Sequence, residues 1–357
     1  MNKTALVMIY FLLALESAKQ MNFVKDNINI SAYDTPVLVA NKSQSDIKEF
    51  KSAQSMALNY NASIAFVMLA GPDENQDGIN DSMGMAIYAS KTNGIFTEMK
   101  VIHGLEKGHA NGATYYEDNG ESYVVVAPPI TDSEYSLIRY KMDMKRFEIV
   151  ETDYIPLTVA NSLVKNIRSV SYDREDEAFY VSNGTSIMRF DKYFNGGYVI
   201  RSKKVANQSP IGTEPGATSF NQDGTVYGEY FYGVVYYTNS FEKYSEIGLR
   251  KAQYHSEKKD SVIAVYDKYS GDFKNFIILD SDEVKGITSV NYYDSLKYDM
   301  VELEDVEFYE DKMYLLYQKK GNFQILIADK PDVIKDLTEE EREKDIISEE
   351  LDVSKFY

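Results

Sequence analysis

The chain has 357 residues, with 30 Tyr and 17 Phe but only 20 Gly and 8 Pro. That length fills one large β domain or two ordinary ones, and the composition excludes a fibrous or disordered chain while favouring strands. A formal charge of −18 argues against nucleic acid or an anionic membrane as partner, and the absence of cysteine excludes disulfides, thiolate nucleophiles and Cys-ligated metals.

Residues 1–18 read as a secretory signal. Lys3 is a short basic start, residues 5–15 form an eleven-residue apolar run, and Ser17 and Ala18 end it with small side chains. The run is too short for an ordinary membrane span, and no second run of spanning length follows, so the expectation is a secreted chain without a span. Asn-x-Ser/Thr occurs at Asn29, Asn41, Asn61, Asn80, Asn183 and Asn207, which in a eukaryotic secretory host would be glycan acceptors.

From residue 51 onward one phrase recurs: a polar start, a short strand, an acidic or Asn-containing turn, and an apolar strand. It is clearest over residues 107–127. Eleven residues separate Ser55 from Phe66, Gly112 from Tyr123, Ser169 from Tyr180, and Gly216 from Tyr227. A fifth copy, starting at Asp305 and ending at Tyr314, has a turn two residues shorter. A second phrase follows within four of these units, at residues 136–140, 186–191, 261–267 and 324–329, and looser edge strands come at 147–151, 198–203 and 273–279. Units of about four strands, repeated at roughly 40–60 residues, cannot bury both faces of a sheet without their neighbours. The prediction is an all-β, five-bladed β-propeller over residues 19–335, with residues 32–40 a candidate closing strand. A short acidic C-terminal helix is expected within 336–357, opened by a capping box at Thr338. Two insertions, 71–84 and 239–260, occupy the same relative place in blades one and four.

The first insertion carries the sharpest motif. Asp73, Asn75, Asp77 and Asp81 stand at positions 1, 3, 5 and 9 of a loop with Gly78 at position 6, and Ile79 would offer its carbonyl from position 7. Oxygen ligands at this spacing suit a structural Ca²⁺ ion. Position 12 is Gly84 rather than Glu, and the flanks read as strands, so the loop is not an EF-hand.

The second constellation comes from superposing the five phrases. Residues just before each inner strand must meet at one mouth of the channel: Gln54, His109, Asn111, Arg168, Thr213, Glu214, Glu302 and Glu304. This set is a candidate ligand site, with Arg168 suited to an anionic group and the amides to hydroxyls. His109, Glu302 or Glu304 would be the acid–base or metal-binding groups if the protein is an enzyme. No nucleophile elbow, phosphate loop or H-E-x-x-H occurs in the sequence. The tyrosines of 227–237 are candidates for an exposed aromatic platform or for inter-blade packing.

Three blade openings, Q-S-M-A at 54–57, G-H-A-N at 108–111 and E-L-E at 302–304, resemble those of extracellular five-bladed propellers of the helveticin J-like and teichoic-acid-protein or phage-receptor-binding type. An Asp commonly follows H-x-N in that group, where this chain has Gly112. The resemblance implies a secreted, surface-directed protein. The expected function is therefore a calcium-stabilised binding module that recognises an extracellular glycan or protein at the channel mouth. The alternatives are a metal-dependent, lactonase-like hydrolase or lyase using the same mouth, and a non-catalytic coat or matrix protein.

Overall fold

The computed structural model describes residues 50, 52–72, 80–90, 96–128, 134–183, 186–201, 223–235, 261–271, 273–279, 302–319 and 322–330. Every regular element among them is a strand. The expected signal, the 32–40 strand and the acidic C-terminal helix lie outside the described residues.

The strands form five antiparallel sheets, each a meander. Blade one holds β1 (Ser52–Leu58), β2 (Ile64–Ala70), β3 (Met83–Ser90) and β4 (Phe96–Leu105). Blade two holds β5 (Gly112–Asp118), β6 (Glu121–Ala127), β7 (Leu137–Asp143) and β8 (Glu148–Ile155), followed by a small hairpin, β9 (Thr158–Val159) and β10 (Ser162–Leu163). Blade three is β11 (Ser169–Asp173), β12 (Ala178–Ser182), β13 (Ile187–Asp191) and β14 (Tyr198–Arg201). Blade four is β15 (Gly224–Tyr227), β16 (Tyr230–Val235), β17 (Ser261–Asp267) and β18 (Phe273–Leu279). Blade five shows β19 (Glu302–Tyr309), β20 (Lys312–Lys319) and β21 (Asn322–Asp329) among the described residues. The first strands touch in the circular order β1, β5, β11, β15, β19 and back to β1. The fold is thus a five-bladed β-propeller, as the repeats predict.

Apolar side chains on blade faces fill the seams. Phe66, Met68, Met85 and Ile87 meet Tyr115, Val124, Val126 and Tyr140 between blades one and two. Val125, Leu137 and Tyr116 meet Phe179, Val181 and Phe190 between blades two and three. Blades four and five share Tyr232, Ile263, Val306 and Leu315, and blades five and one share Leu316, Ile325, Val67 and Tyr88. The seam between blades three and four is held differently. Lys268, 1% exposed, donates to Asp173 Oδ2 and lies 3.4 Å from Asp176, while Ser171 Oγ lies 3.1 Å from Thr225 Oγ1.

Blade four corrects the repeat alignment. Its first hairpin turns at Gly228, where φ is +59, and pairs Tyr227 with Tyr230. Tyr227 therefore ends the inner strand instead of sitting in the second one, and the blade opens at Asp223–Gly224 rather than at Gly216. Asn-Gln-Asp-Gly (221–224) looks like a turn inside a hairpin, but the D-G step leads into the first strand. In the rings of 227–237, Phe231 and Tyr232 are buried, and Tyr227 stacks on Phe308 at a centroid distance of 5.4 Å. These rings belong to inter-blade packing.

Candidate active site at the channel mouth

All five inner strands start at the same end of the channel, so the residues opening them share a layer: Gln54, Asn111, Arg168, Asp223 and Glu304. Two of these positions are β-bulges. The β1–β2 register jumps between Ala53 and Ser55, and the β19–β20 register jumps between Leu303 and Asp305. Gln54 and Glu304 are therefore the extra residues, a device that re-aims a side chain beside a site. In blade two the same task falls to Ala110, held at φ +56 between His109 and Asn111. A β-carbon in the left-handed region costs about 1–2 kcal/mol, and here Ala110 is locked by Ser55, whose hydroxyl donates to its carbonyl at 2.7 Å. The next residue must be small, because a Cβ on Gly112 would come within 2.7 Å of Ser169 Cα.

Below this layer the inner strands are stitched into a closed circuit. Tyr172 N–H donates to Thr114 Oγ1 at 3.0 Å, and Val226 N–H donates to Ser171 Oγ at 2.9 Å. Thr225 donates to Glu307 Oε2 at 3.1 Å, and Met56 N–H donates to Asp305 Oδ2 at 2.5 Å. Asp223, on blade four, reaches across the axis to accept from Ala113 N–H of blade two at 3.0 Å.

Asp223 and Asp305 are hydrogen-bonded to each other and close the channel beneath the mouth. Each also accepts the N–H of its own next residue, Gly224 at 2.7 Å and Val306 at 2.6 Å. Burial pushes both carboxyls well above the usual carboxylate range, and the charge of Asp305 raises Asp223 further. Glu307, two residues deeper and enclosed by protein, is also raised by burial and then by Asp305. A hydrogen bond between two carboxyls away from water needs a proton, so the pair holds one to higher pH than a lone carboxyl would.

Other expected residues fall as follows. His109 Nδ1 lies 2.5 Å from Asn80 Oδ1, and Asn80 Nδ2 donates to the carbonyl of Gly71 at 2.5 Å. That second bond turns the amide oxygen toward the imidazole, so Nδ1 carries the proton and Nε2 is the accepting nitrogen. Burial and then the charge of Arg168 bring His109 down to about 4, so it is neutral at physiological pH and a weak base. Among the described residues, Asn111, 1% exposed, has no hydrogen-bond partner for either side-chain atom, and neither Gln54 Oε1 nor Ser169 Oγ has one. Glu304 is buried, and the side chain of Glu302 is not among those described. Thr213 and Glu214 lie outside the described residues, and the realigned blade four places Asp223 at the position expected for Glu214.

Of the expected calcium ligands, Asp73, Asn75, Asp77 and Ile79 lie outside the described residues. Asp81 is described, 3.6 Å from Lys107 Nζ. The base of the insertion is anchored at the mouth: Gly108 N–H donates to the carbonyl of Asn80 at 3.0 Å. No cluster of three potential metal ligands occurs among the described residues, and no helix there is long and apolar enough to cross a membrane.

Sequence reasoning missed Asp223, Glu307 and Ser169 as site residues. An Asp two residues before a β-branched strand was visible in blade four, and the i, i+2 spacing of Asp305 and Glu307 puts both on one face.

No family model matches the chain, and none of the curated proteins is significantly similar to it. Solved structures of the same fold include the GH43_1 enzyme of Xanthomonas citri. Complexed with xylotriose, it has a TM-score of 0.46 and 9% identity over 87% of this chain and 93% of that one. The same enzyme with xylose gives a TM-score of 0.45 at 9% identity, over 87% and 92% of the two chains. The RS223 β-xylosidase gives 0.45 at 10% identity, over 83% and 94%. At this distance the likeness shows the fold alone. The expected reading of a non-catalytic binding module is corrected: the mouth is floored by a hydrogen-bonded carboxyl pair that a simple binding surface does not require.

Proposed function

We propose that the protein is a secreted glycoside hydrolase whose substrate sits in the channel mouth above Asp223 and Asp305. The observation that carries this reading is the carboxyl pair, whose mutual hydrogen bond holds a proton. Cleaving a glycosidic bond needs a proton for the leaving oxygen and a second carboxylate to act on the opposite side of the sugar. The acid pair is the proton source. Glu304, re-aimed by its bulge beside Asp305, is the group assigned to the second task. Asn111 and Gln54, with unused hydrogen-bonding atoms, suit sugar hydroxyls, and neutral His109 adds an acceptor. The apolar run at the N-terminus supports export, and the ligand spacing of residues 73–81 supports a structural Ca²⁺.

A second reading is favoured by one observation: all four oxygens of the pair accept backbone N–H groups, which would make it a bolt that closes the ring. Aryl glycosides and xylo-oligosaccharides, assayed with wild type, Asp223→Asn and Glu304→Gln, separate the two. Turnover by wild type, lost at least a hundredfold in folded variants, supports the hydrolase. Absence of turnover across the panel, with Asp223→Asn losing only stability, leaves the bolt.

A further inference from the structure

Arg168 lies between the last turn before β11 and the mouth, half-buried, with its backbone N–H donating to the carbonyl of Ser182 at 2.7 Å. Among the described residues its guanidinium makes no ion pair and no hydrogen bond. Burial lowers its pKa, and among the described residues no carboxylate acts against that fall, so none of them gives the partly desolvated cation a counter-charge. In a protein with a formal charge of −18 this is unusual. Arg139, by contrast, donates to Asp153 at 2.6 and 2.9 Å. A desolvated cation is costly unless something pairs it.

The surroundings of Arg168 lack partners in the same way. Ser169 is its chain neighbour, and its fully buried hydroxyl is unpartnered. Asn111 precedes Gly112, whose backbone packs against Ser169, and both polar atoms of Asn111 are buried and unpartnered. His109 is close enough for the charge of Arg168 to depress it, and its neutral imidazole does not compete for an anion. Asp223 and Asp305 share a proton and so repel an incoming anion less than two carboxylates would.

We infer that Arg168, with Ser169 and Asn111, forms an oxyanion subsite, so that the substrate is an acidic glycan whose sugar carries a carboxylate or a sulfate ester. The inference rests on the hydrolase reading for the glycan, and on Arg168 alone for the anion. A guanidinium fork donates to two oxygens of either group, the hydroxyl of Ser169 donates a further bond, and the Asn111 amide can donate to the anion while accepting from an adjacent hydroxyl.

The test uses the mature chain with three probes, glucuronate, inorganic sulfate and neutral xylose, in calorimetric titrations of wild type, Arg168→Met and Arg168→Lys. Alongside it, kcat/KM is measured for paired aryl glucuronide and aryl xyloside substrates. The expected result is saturable binding of glucuronate or sulfate by wild type, weakened at least tenfold in Arg168→Met and partly restored in Arg168→Lys, with both variants folded by circular dichroism. Glucuronate alone identifies a carboxylate sugar, and sulfate alone a sulfated one. If aryl glycosides turn over, the uronide-to-xyloside ratio of kcat/KM falls at least tenfold in Arg168→Met. Anion binding that depends on Arg168 without turnover of any glycoside would sink the hydrolase reading and keep the subsite. Anion affinity equal in wild type and Arg168→Met, or none in wild type, overturns the subsite.

Discussion

Asp305→Asn is the most informative single change in the channel. The wild-type side chain is fully buried, accepts from Met56 and Val306, and shares a proton with Asp223. The amide keeps the shape but turns a donor toward one of those N–H groups, leaving one buried donor unsatisfied at a cost of about 1–3 kcal/mol. Its effect on pH dependence is more specific. Asp223, Asp305 and Glu307 all have folded pKa values raised above their unfolded ones, so the folded chain binds more protons, and their contribution is lost as pH rises through the folded values. His109 has the opposite sign and does not interfere above pH 7, where it is neutral in both states. The window of loss runs from the ordinary carboxylate range up to the folded pKa values, and within it each retained proton gives a fall of up to roughly 1.4 kcal/mol per pH unit. Urea unfolding at a series of pH values measures this. Wild type should lose stability across the window, and Asp305→Asn should be less stable at pH 7 with a visibly flatter slope. A wild-type profile that is level or rising there, or an equal slope in the variant, refutes the shared proton.

Four further outcomes are expected. Lys268→Met strands the carboxylates of Asp173 and Asp176 in the seam between blades three and four and should cost about 3–5 kcal/mol, read by chemical unfolding; a loss under 1 kcal/mol would show that the pair is not a seam device. His109, brought down from 6.5 to about 4, gives stability that is present above pH 6.5 and lost as pH falls to 4, about 3 kcal/mol in all, and His109→Gln should abolish that loss in acid titrations. Gly112→Ala drives a methyl into the backbone of Ser169 and should lower stability by about 1–3 kcal/mol, seen as a lower thermal midpoint; an unchanged midpoint contradicts the close approach of β5 and β11. Calcium should raise the thermal midpoint of wild type and not of Asp77→Asn, and a chelator should reverse the gain; equal midpoints remove the ion from the 73–81 loop.

The propeller was legible in the sequence because each unit spells an inner strand, a turn and an apolar second strand at nearly constant length, as Ser55 to Phe66 and Gly112 to Tyr123 do. Blade four escaped because the anchor used there was aromatic: Tyr227 and Tyr230 flank a two-residue turn, and spacing alone cannot tell which side of the turn a tyrosine occupies. Gln54, Asn111, Arg168 and Glu304 were legible as mouth residues, since parallel inner strands bring their starts together. Their aim was not, because it depends on bulges at Gln54 and Glu304 and on the left-handed Ala110, none of which has a residue signature. Neither the pairing of Asp223 with Asp305 nor the tie between Asn80 and His109 follows from spacing, because each joins residues from blades or loops that only the closed ring brings together.

If the proton-holding pair serves hydrolysis, turnover depends on Asp223. Reducing-end release from a panel of neutral and acidic oligosaccharides, by wild type and by folded Asp223→Asn at equal concentration, tests it most directly. Wild type should release reducing ends, and the variant at least a hundredfold more slowly. Release at equal rates, or none by wild type on any member of the panel, would contradict it.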